Sequence, residues 1–389
     1  VARASFDATL AQLINSPGAP TATVTLDAQS ITQDSFNSTQ LTFTLTQAAA
    51  NQIRAQQALG TALQNTFVRL QPGAIQDTFG NANELSTANA TAVTLDTLPT
   101  RLVSLDLDMD TGVLNMSFSE PVNVLSVLPS AVTLSDAVNS SNTHVLADTQ
   151  VVGSGFAQTV ALQLGDKDIR DLKLARICLF RDSCTFSSNA TMARDAAGLY
   201  LPAVSEAPID GTFVADSTPP FLPDRGFLYF NLNNGTLALS FSEVVNVSSV
   251  QPTRIVLQSY FETPEVTYTL TGGSVLSGYH PGPASTAVVI ALSDTDANAI
   301  KAAQGLCTSR ATCFISLSAA FLADGAGNPS EAAAGDSPFA GAQSFVADTT
   351  EPGLVSVEVD MDGGELVLEF DETVSAISLQ PTLLTLQTA

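Results

Sequence analysis

The sequence of 389 residues contains no tryptophan and only two histidines, His144 and His280. The absence of tryptophan and the low aromatic content argue against a platform that stacks carbohydrate rings. Both histidines lie in loop-like sequence, so we expect them on the surface rather than in a catalytic set. Motifs of the G-x-S-x-G, H-E-x-x-H and P-loop types are also absent. The sequence therefore predicts that the protein is not an enzyme.

Basic residues are scarce as well: 14 Lys and Arg stand against 38 Asp and Glu, which gives a net charge of −24. A field of this sign repels phosphate groups and anionic lipid headgroups, and it excludes nucleic acid as a partner. No apolar run reaches the length of about 18 residues that a membrane-spanning helix needs. We therefore expect no membrane insertion of this segment.

What the sequence does contain is an internal repeat. Three segments that begin at Leu102, Phe227 and Leu354 run in parallel, each with two alternating apolar runs around a glycine turn. The start of the chain joins the series, because Phe6 matches the phenylalanine of the third segment, and the period is about 120 residues. The equivalent positions are Gly112, Gly235 and Gly364; Phe118, Phe241 and Phe370; Glu120, Glu243 and Glu372; and Pro129, Pro252 and Pro381.

A second set of anchors marks the other half of each repeat. An Asp-x-x-Gly turn is followed by a short strand, a second aspartate and then proline, which predicts a short, stiff joint. The turn aspartates are Asp77, Asp195 and Asp324, and the joint aspartates are Asp96, Asp216 and Asp348. These anchors predict an immunoglobulin-like repeat over 1–95 that lacks its first strand, repeats over 96–215 and 216–347, and the opening strands of a further repeat over 348–389.

The two incomplete ends have two explanations. The chain is either a window on a longer polypeptide, or its 348–389 segment completes the 1–95 domain of the next copy in a head-to-tail filament. In both cases the first strand that is missing at one end is present in surplus at the other.

Each repeat has about seven predicted strands and one short helix. In the opening hairpin Leu105 and Leu107 alternate with polar residues, as a strand with one buried face requires. The helix is clearest over 293–301, where a capping residue precedes an acidic first turn, and its counterparts are 166–173 and 47–54. The predicted fold class is all-β, with tandem immunoglobulin-like β-sandwiches that each carry one short helix in a crossover. Strand count alone leaves a jelly roll open.

Four cysteines form two C-x5-C pairs, both of which follow the short helix. Four cysteines allow three connectivities, and the repeat symmetry favours Cys178–Cys184 and Cys307–Cys313. The first repeat has Gly60 and Thr66 at the corresponding positions. If the two cysteines form a disulfide, a repeat that lacks one of them is expected to lack the other as well. Unpaired thiols or a metal site are the alternatives. Disulfides would indicate an oxidising compartment.

N-x-S/T sequons are modestly enriched. Together with the cysteines, they indicate a secreted glycoprotein if the source is eukaryotic. The predicted glycosylation sites are Asn37, Asn89, Asn115, Asn139, Asn189, Asn234 and Asn246.

Calcium is the best candidate for a bound ion. It takes about six to eight oxygen ligands, and acidic side chains at the repeat edges and joints could supply them. The spacing is not that of an EF-hand, and the alternative is that these acids cap turns and accept backbone hydrogen bonds. The predicted ligands are Glu120, Asp216, Glu243, Asp348 and Glu372.

Three short motifs carry a family resemblance: the F-S-E hairpin end at 118–120 and 241–243, the D-x-x-G-N turn at 77–81 and 324–328, and the D-S-T-P-P joint at 216–220. Together they resemble the bacterial-type immunoglobulin-like tandem repeats of large extracellular surface proteins. In its sequons, its acidity and its incomplete ends, the chain also resembles the shaft glycoproteins of flagellar hairs (mastigonemes). The C-x5-C pairs depart from the general pattern of that family.

This resemblance implies an extended protein outside the cell or at its surface. We expect a structural protein whose tandem repeats form a rod or filament shaft, with neighbouring copies or repeats as partners in a filament or surface layer. The alternative is a cell-surface adhesin that binds a ligand through the repeat loops, which predicts one divergent repeat with an aromatic or charged pocket.

Overall fold

The computed structural model describes residues 6–32, 39–276, 284–385 and 387. In these residues the strands form seven β-sheets, and each sheet lies inside one of the four ranges that the repeats predict. The chain forms two compact units, the first of residues 1–172 and 177–215, and the second of residues 173–176 and 216–389. No helix in the described part of the chain is long and apolar enough to cross a membrane.

The first repeat has the elements β1 (Ala11–Ile14), β2 (Thr23–Thr25), β3 (Ala28–Thr32), β4 (Thr42–Leu45), α1 (Gln47–Arg54), β5 (Phe67–Leu70) and β6 (Ser86–Asn89). One antiparallel sheet has the order β2-β1-β5-β6, and β3 and β4 pair as a separate hairpin. Helix α1 therefore follows the hairpin and leads back to the first sheet.

The second repeat consists of β7 (Leu102–Asp108), β8 (Val113–Asn123), β9 (Val132–Ser135), β10 (Thr143–Val145), β11 (Thr149–Val152), β12 (Phe156–Leu164), α2 (Asp166–Ala175), β13 (Thr185–Ser188), β14 (Val204–Pro208) and β15 (Phe213–Val214). Its two sheets have the orders β11-β12-β8-β7-β15 and β10-β9-β13-β14. Strands β7, β8, β12 and β11 thus share one sheet, in the order that strands A, B, E and D have in an immunoglobulin domain. Helix α2 lies in the crossover between the sheets, so the predicted fold class is confirmed.

The third repeat repeats this order with β16 (Phe227–Asn231), β17 (Thr236–Asn246), β18 (Ile255–Gln258), β19 (Thr267–Thr269), β20 (Ser274–Val275), β21 (Ala284–Ala291), α3 (Asp294–Ala302), β22 (Phe314–Leu317), β23 (Ala323–Asp324) and β24 (Ser344–Val346). Its sheets are β20-β21-β17-β16-β24, with β23 also paired to β17, and β19-β18-β22. The final segment contributes one antiparallel hairpin, β25 (Leu354–Asp360) with β26 (Glu365–Phe370).

The first repeat differs from its sequence prediction in how many strands it lacks. Strand β1 lies between β2 and β5 as β9 lies between β10 and β13, so β1 is the counterpart of the third strand of a full repeat. A 3-10 turn precedes both strands, at Ala8–Leu10 and at Pro129–Ala131. Among the described residues of 1–95, both β7 and β8 are therefore without a counterpart.

The predicted match between Phe6 and Phe370 is wrong for this reason. The resemblance rests on a few residues around one Phe-Asp pair, whereas Asp7 caps the 3-10 turn by accepting a hydrogen bond from the Thr9 N–H at 2.9 Å. The local turn, rather than the short motif, sets the register of the first repeat.

The opening hairpin of the second repeat shows how the alternating sequence builds the core. Leu105 and Leu107 of β7, and Met109 directly after it, are buried on one face, while the intervening Asp106 and Asp108 are only half-buried. Gly112 makes the turn with φ +67°, a conformation that favours glycine. Leu105 then lies opposite Met116 of β8. Each fully buried side chain of this size contributes about 1.5–3 kcal/mol.

A buried aspartate ties helix α2 to the strand region beside it. Asp168 is fully buried, and its carboxylate accepts hydrogen bonds from the N–H groups of Ala147 and Asp148 and from Thr149 Oγ1, at 3.0, 2.8 and 2.6 Å. Nε2 of His144 lies 2.8 Å from the same carboxylate. Burial acts to raise the pKa of Asp168, but these hydrogen bonds outweigh it and lower the pKa below 3.8.

The third repeat has the same device at Asp296, which is also fully buried in the first turn of α3. Its carboxylate accepts from the N–H groups of Thr271 and Gly272, at 2.9 and 3.0 Å, and from the hydroxyls of Tyr268 and Ser293, both at 2.9 Å. Burial again opposes the shift, and the hydrogen bonds lower the pKa of Asp296 below 3.8. The acidic first turn that predicts the helix thus has a second role in fixing the crossover.

Replacing Asp168 with Asn should destabilise the protein, because an amide cannot accept this set of bonds as a charged carboxylate does. We expect a loss of about 2–3 kcal/mol, measured by urea unfolding of the full chain followed by circular dichroism. The control is Asp166→Asn, at an exposed position in the same helical turn. Equal losses in the two variants would contradict the assigned role.

The pH dependence of this difference follows from the lowered pKa. A carboxyl group whose pKa is lower in the folded state contributes stability that is present above its unfolded pKa and is lost as pH falls through the folded value. The gap in unfolding free energy between the wild type and Asp168→Asn should therefore be full at neutral pH and shrink below pH 3.8. If the difference in unfolding free energy instead grew as the pH fell, the pKa of Asp168 would have to be raised in the folded state.

Candidate functional site

The residues that the sequence predicts as calcium ligands are brought together in small ionic clusters, which we call the joint clusters. Each contains a basic side chain from the last turn of a helix, the aspartate of the following joint, and the glutamate that ends the next opening hairpin. The three joint clusters are Arg54–Asp96–Glu120, Lys173–Asp216–Glu243 and Lys301–Asp348–Glu372.

The first joint cluster lies within the first unit. Nε of Arg54 is 2.9 Å from Asp96 Oδ2, and its Nη2 is 3.2 Å from Glu120 Oε1. Burial raises the pKa of Glu120, and the nearby Asp96 adds to this, while Arg54 opposes it. Asn51, one turn before Arg54 in α1, donates from Nδ2 to the carbonyl oxygen of Ser119 at 3.2 Å. The end of α1 is thus bonded to the end of β8 by both charge and amide contacts.

The second joint cluster lies within the second unit and is the most buried of the three. Nζ of Lys173 is 2.7 Å from Asp216 Oδ2 and 2.6 Å from Glu243 Oε2. Side chains of the three residues are only 12, 7 and 14% exposed. The carboxylates hold the pKa of Lys173 above 10.5 against the opposing effect of burial.

A third carboxylate adds to the excess of negative charge in this cluster. Oxygen atoms of Asp216, Glu243 and Asp324 lie within 4.8 Å of one another, and the Lys173 ammonium group pairs with the first two. Burial and repulsion by Asp324 raise the pKa values of Asp216 and Glu243 in spite of Lys173. For such raised pKa values the stabilising contribution is present at low pH and declines as pH rises through them, which is opposite in sign to the effect at Asp168.

The third joint cluster, also in the second unit, connects α3 to the final hairpin. Nζ of Lys301 is 2.9 Å from Asp348 Oδ2 and also bonds Glu372 Oε2. Thr373 adds a backbone N–H bond to Asn298 Oδ1 at 3.1 Å. This arrangement repeats the chemistry of the first joint, with lysine in place of arginine.

The turn aspartates have a different role from the joint aspartates. Oδ1 of Asp324 accepts from the N–H groups of Gly327 and Asn328 at 2.7 and 2.8 Å, and Asp77 makes equivalent bonds with Phe79 and Asn81. These carboxylates cap the Asp-x-x-Gly turns, which is the alternative that sequence analysis left open for the acidic residues.

In each joint cluster a basic side chain of the protein itself provides the cation. A calcium ion needs about six to eight oxygen ligands, whereas an ammonium or guanidinium group occupies the space between the carboxylates in all three clusters. Calcium binding at Glu120, Asp216, Glu243, Asp348 and Glu372 stays a prediction, and it would require the basic side chain to move aside.

Both cysteine pairs form the disulfides that the repeat symmetry favours, Cys178–Cys184 and Cys307–Cys313. All four cysteines are buried, and the third-repeat pair packs within the core of its domain. Each bridge closes the segment between the repeat helix and the next strand, so it fixes the crossover from which the basic residue projects.

The sequons lie in different surroundings. Asn89, Asn139, Asn189 and Asn234 are exposed, whereas Asn115 and Asn246 are half-buried within or at the end of a long strand. Asn37 lies outside the described residues. Glycosylation at these positions stays a prediction.

Sequence analysis missed the basic member of each cluster and misjudged one histidine. Only 14 basic residues occur in the chain, yet three of them lie at the end of the repeat helix, and this recurrence was the available signal. His144 is not a surface residue, since β10 places it against the buried Asp168 with 14% of its side chain exposed. His280 lies outside the described residues.

Comparison with known proteins identifies no relative in sequence. No family model matches the chain, and no curated protein matches it. Among solved structures it is similar to the N-terminal part of the bacterial S-layer protein SbsC, with 13% identity and a TM-score of 0.21. The match covers 51% of this chain and 45% of that one, so the chain spans less than half of its length. A similarity this low supports no argument about function.

Replacing Lys173 with Met should destabilise the second unit, because it leaves three neighbouring carboxylates without a cation. Breaking a buried ion cluster in this way costs about 3 kcal/mol, to be measured by chemical unfolding of the full chain. Lys167→Met is the matched control, since Lys167 is 53% exposed and, among the described residues, its only ion pair is with Asp171 on the surface of the same helix. Similar losses in both variants would refute a special role for Lys173.

A calcium titration tests whether the cation of the second joint cluster is the Lys173 ammonium group or a calcium ion. If Lys173 fills the second cluster, a chelator should leave the melting midpoint of the wild type unchanged, and added calcium should raise the midpoint of Lys173→Met through its exposed carboxylates. A wild-type midpoint that falls on chelation would instead support the calcium prediction.

Proposed function

We propose that this chain is part of an extracellular structural protein in which tandem immunoglobulin-like repeats form a rod or filament shaft. The observation that carries the proposal is the recurrence of one ionic cluster at all three joints. The same three positions supply the cluster each time, although the rest of the repeat sequence varies.

Side-chain bonding between consecutive repeats supports a mechanical role. Within the first unit, α1 of the first repeat is bonded to β8 of the second through Arg54, and Gln57 Nε2 also donates to the carbonyl oxygen of Ala196 at 2.9 Å. Within the second unit, Lys301 and Asn298 bond the segment after β26. Joints fixed by several polar bonds and by proline resist bending better than flexible linkers do.

The disulfides support a location outside the cell or at its surface. Disulfide bonds persist in oxidising compartments and are rare in the cytosol of most organisms. A net charge of −24 would keep a densely packed array soluble and would discourage binding to acidic polymers. In this proposal the partners are neighbouring copies or repeats in a filament or surface layer, and no catalytic step is involved.

One feature favours the second candidate, an adhesin that binds through a repeat loop. The loop between β18 and β19 carries Tyr260 and Phe261, whose ring centroids are 4.5 Å apart, and Tyr260 is 43% exposed. The corresponding loops of the first and second repeats contain no aromatic residue. An aromatic pair with one exposed ring, present on one repeat, is the kind of surface that ligand-binding modules use.

Electron microscopy of the native material with a gold-labelled antibody against this chain tests the proposal. We expect label at regular intervals along filaments or across a surface lattice. Label on isolated rods at the cell surface, with loss of ligand binding on Tyr260→Ala, would favour the adhesin instead. An antibody against an unrelated surface protein of the same cells is the control.

A further inference from the structure

The second joint cluster holds a primary amine against two carboxyl groups in surroundings from which water is largely withdrawn. Nζ of Lys173 lies 2.7 Å from Asp216 Oδ2 and 2.6 Å from Glu243 Oε2, and the three side chains are only 12, 7 and 14% exposed. All three residues belong to the second compact unit. An amine and a carboxyl group held in contact have the functional groups of an amide bond, and the fold replaces the encounter that two separate molecules would need.

Burial favours the uncharged forms of the groups in this cluster. Transfer of the ammonium proton to a neighbouring carboxylate removes two charges, so it costs less here than on a surface exposed to water. Repulsion among Asp216, Glu243 and Asp324, whose oxygen atoms lie within 4.8 Å of one another, acts in the same direction. At rest Lys173 stays protonated, because the carboxylates hold its pKa above 10.5 against burial. The free amine is therefore a minor form, and any reaction of it is slow.

The contacts of the two paired carboxyl groups give them different roles. Oδ1 of Asp216 accepts a hydrogen bond from the Thr218 N–H at 3.4 Å, and a donor at this position stabilises negative charge that develops on the oxygen. Oε1 of Glu243 is buried and has no hydrogen-bond partner among the described residues. It is therefore available to accept and release a proton, while Oε2 of the same group contacts Lys173. Asp216 is placed as the electrophile and Glu243 as the proton carrier.

We propose that the side chains of Lys173 and Asp216 join in an amide bond, with Glu243 as the proton carrier. Glu243 relays one proton from the Lys173 ammonium group to the Asp216 carboxylate, and the free amine at Nζ attacks Cγ of the neutral carboxyl group. Glu243 relays a second proton from Nζ to the departing oxygen, so the C–N bond forms, the C–O bond breaks and one water leaves. An ammonium and a carboxylate thus become an amide and water, without an oxidant, a reductant or another reactant.

The bond goes beyond the proposed structural role and does not depend on it. It would tie the last turn of α2 covalently to the joint aspartate before β16. A joint closed in this way stays closed in denaturant and under reducing conditions, whereas an ion pair and a disulfide do not.

The other two joint clusters each lack one of these conditions. Arg54 carries a guanidinium group, which stays protonated in proteins and is not a nucleophile. In the third cluster Asp348 is 22% exposed, against 7% for Asp216. Burial acts to raise the pKa of Asp348, but hydrogen bonds from Lys301 and the Thr350 N–H lower it below 3.8. Asp348 therefore stays ionised and is a poor electrophile, so the proposal concerns the second cluster.

Mass spectrometry of the full chain, produced without glycans and then reduced and denatured, tests the proposal. We expect an intact mass that falls short of the sequence mass by one water molecule. After alkylation and digestion with trypsin, the bond should join peptide 171–176 to peptide 195–225, because a linked Lys173 is no longer a cleavage site. A succinimide at Asp362–Gly363 would lose one water as well, but it would leave these two peptides separate.

Glu243→Gln tests the proton carrier, since an amide keeps the size of the side chain but cannot relay protons. In samples taken at intervals after synthesis, the linked peptide should accumulate about a hundredfold more slowly than in the wild type. The matched control is Asp171→Asn. Asp171 Oδ2 lies 2.6 Å from Nζ of Lys167, but this pair is exposed on the surface, so the variant should form the Lys173 link at the wild-type rate.

A wild-type chain of full mass, with cleavage after Lys173 and a free 195–225 peptide, would overturn the proposal whether or not any variant folds. A link from Lys173 to peptide 226–254, which contains Glu243, would overturn the choice of Asp216 as the electrophile. A link that forms at the wild-type rate in Glu243→Gln would overturn the role of Glu243.

Discussion

A single basic side chain at the end of each repeat helix is the group around which each joint cluster is built. It forms ion pairs with two carboxylates that the joint and the next hairpin supply, in clusters whose side chains are largely withdrawn from water. Without that side chain, carboxylates of like charge would face one another and the joint would be destabilised. The buried aspartates of α2 and α3, and the disulfides that follow these helices, fix the helix from which the lysine projects.

The alternation of apolar residues was enough to predict the sheets, because a strand with one buried face leaves a strong period-two pattern. Leu105, Leu107 and Met109 are buried as predicted, and cysteine symmetry predicted both bridges. The register of the first repeat was not predictable from one Phe-Asp match, since a 3-10 turn capped by Asp7 has little sequence signature. Charge partners such as Lys173 and Glu243, 70 residues apart, are set by the fold rather than by local sequence.

Comparison of the second and third repeats shows how one fold acquires different surfaces. Three additional residues before β24 let the third repeat cover its own strand edge, whereas the second repeat leaves Val103 exposed beside Val204. The two repeats share their strand order, so this divergence lies in loops, where proteins usually carry their specific contacts. The joint clusters recur in both repeats because they belong to the shared architecture.

A double-mutant cycle on Arg54 and Glu120 tests the central claim most directly, because this pair joins the helix of one repeat to the strand of the next within one compact unit. The unfolding free energies of Arg54→Met, Glu120→Gln and the double variant would be measured on the full chain. We expect a coupling energy of about 1–2 kcal/mol. Losses that add within about 0.3 kcal/mol would show that the two side chains do not act together, and would contradict the claim.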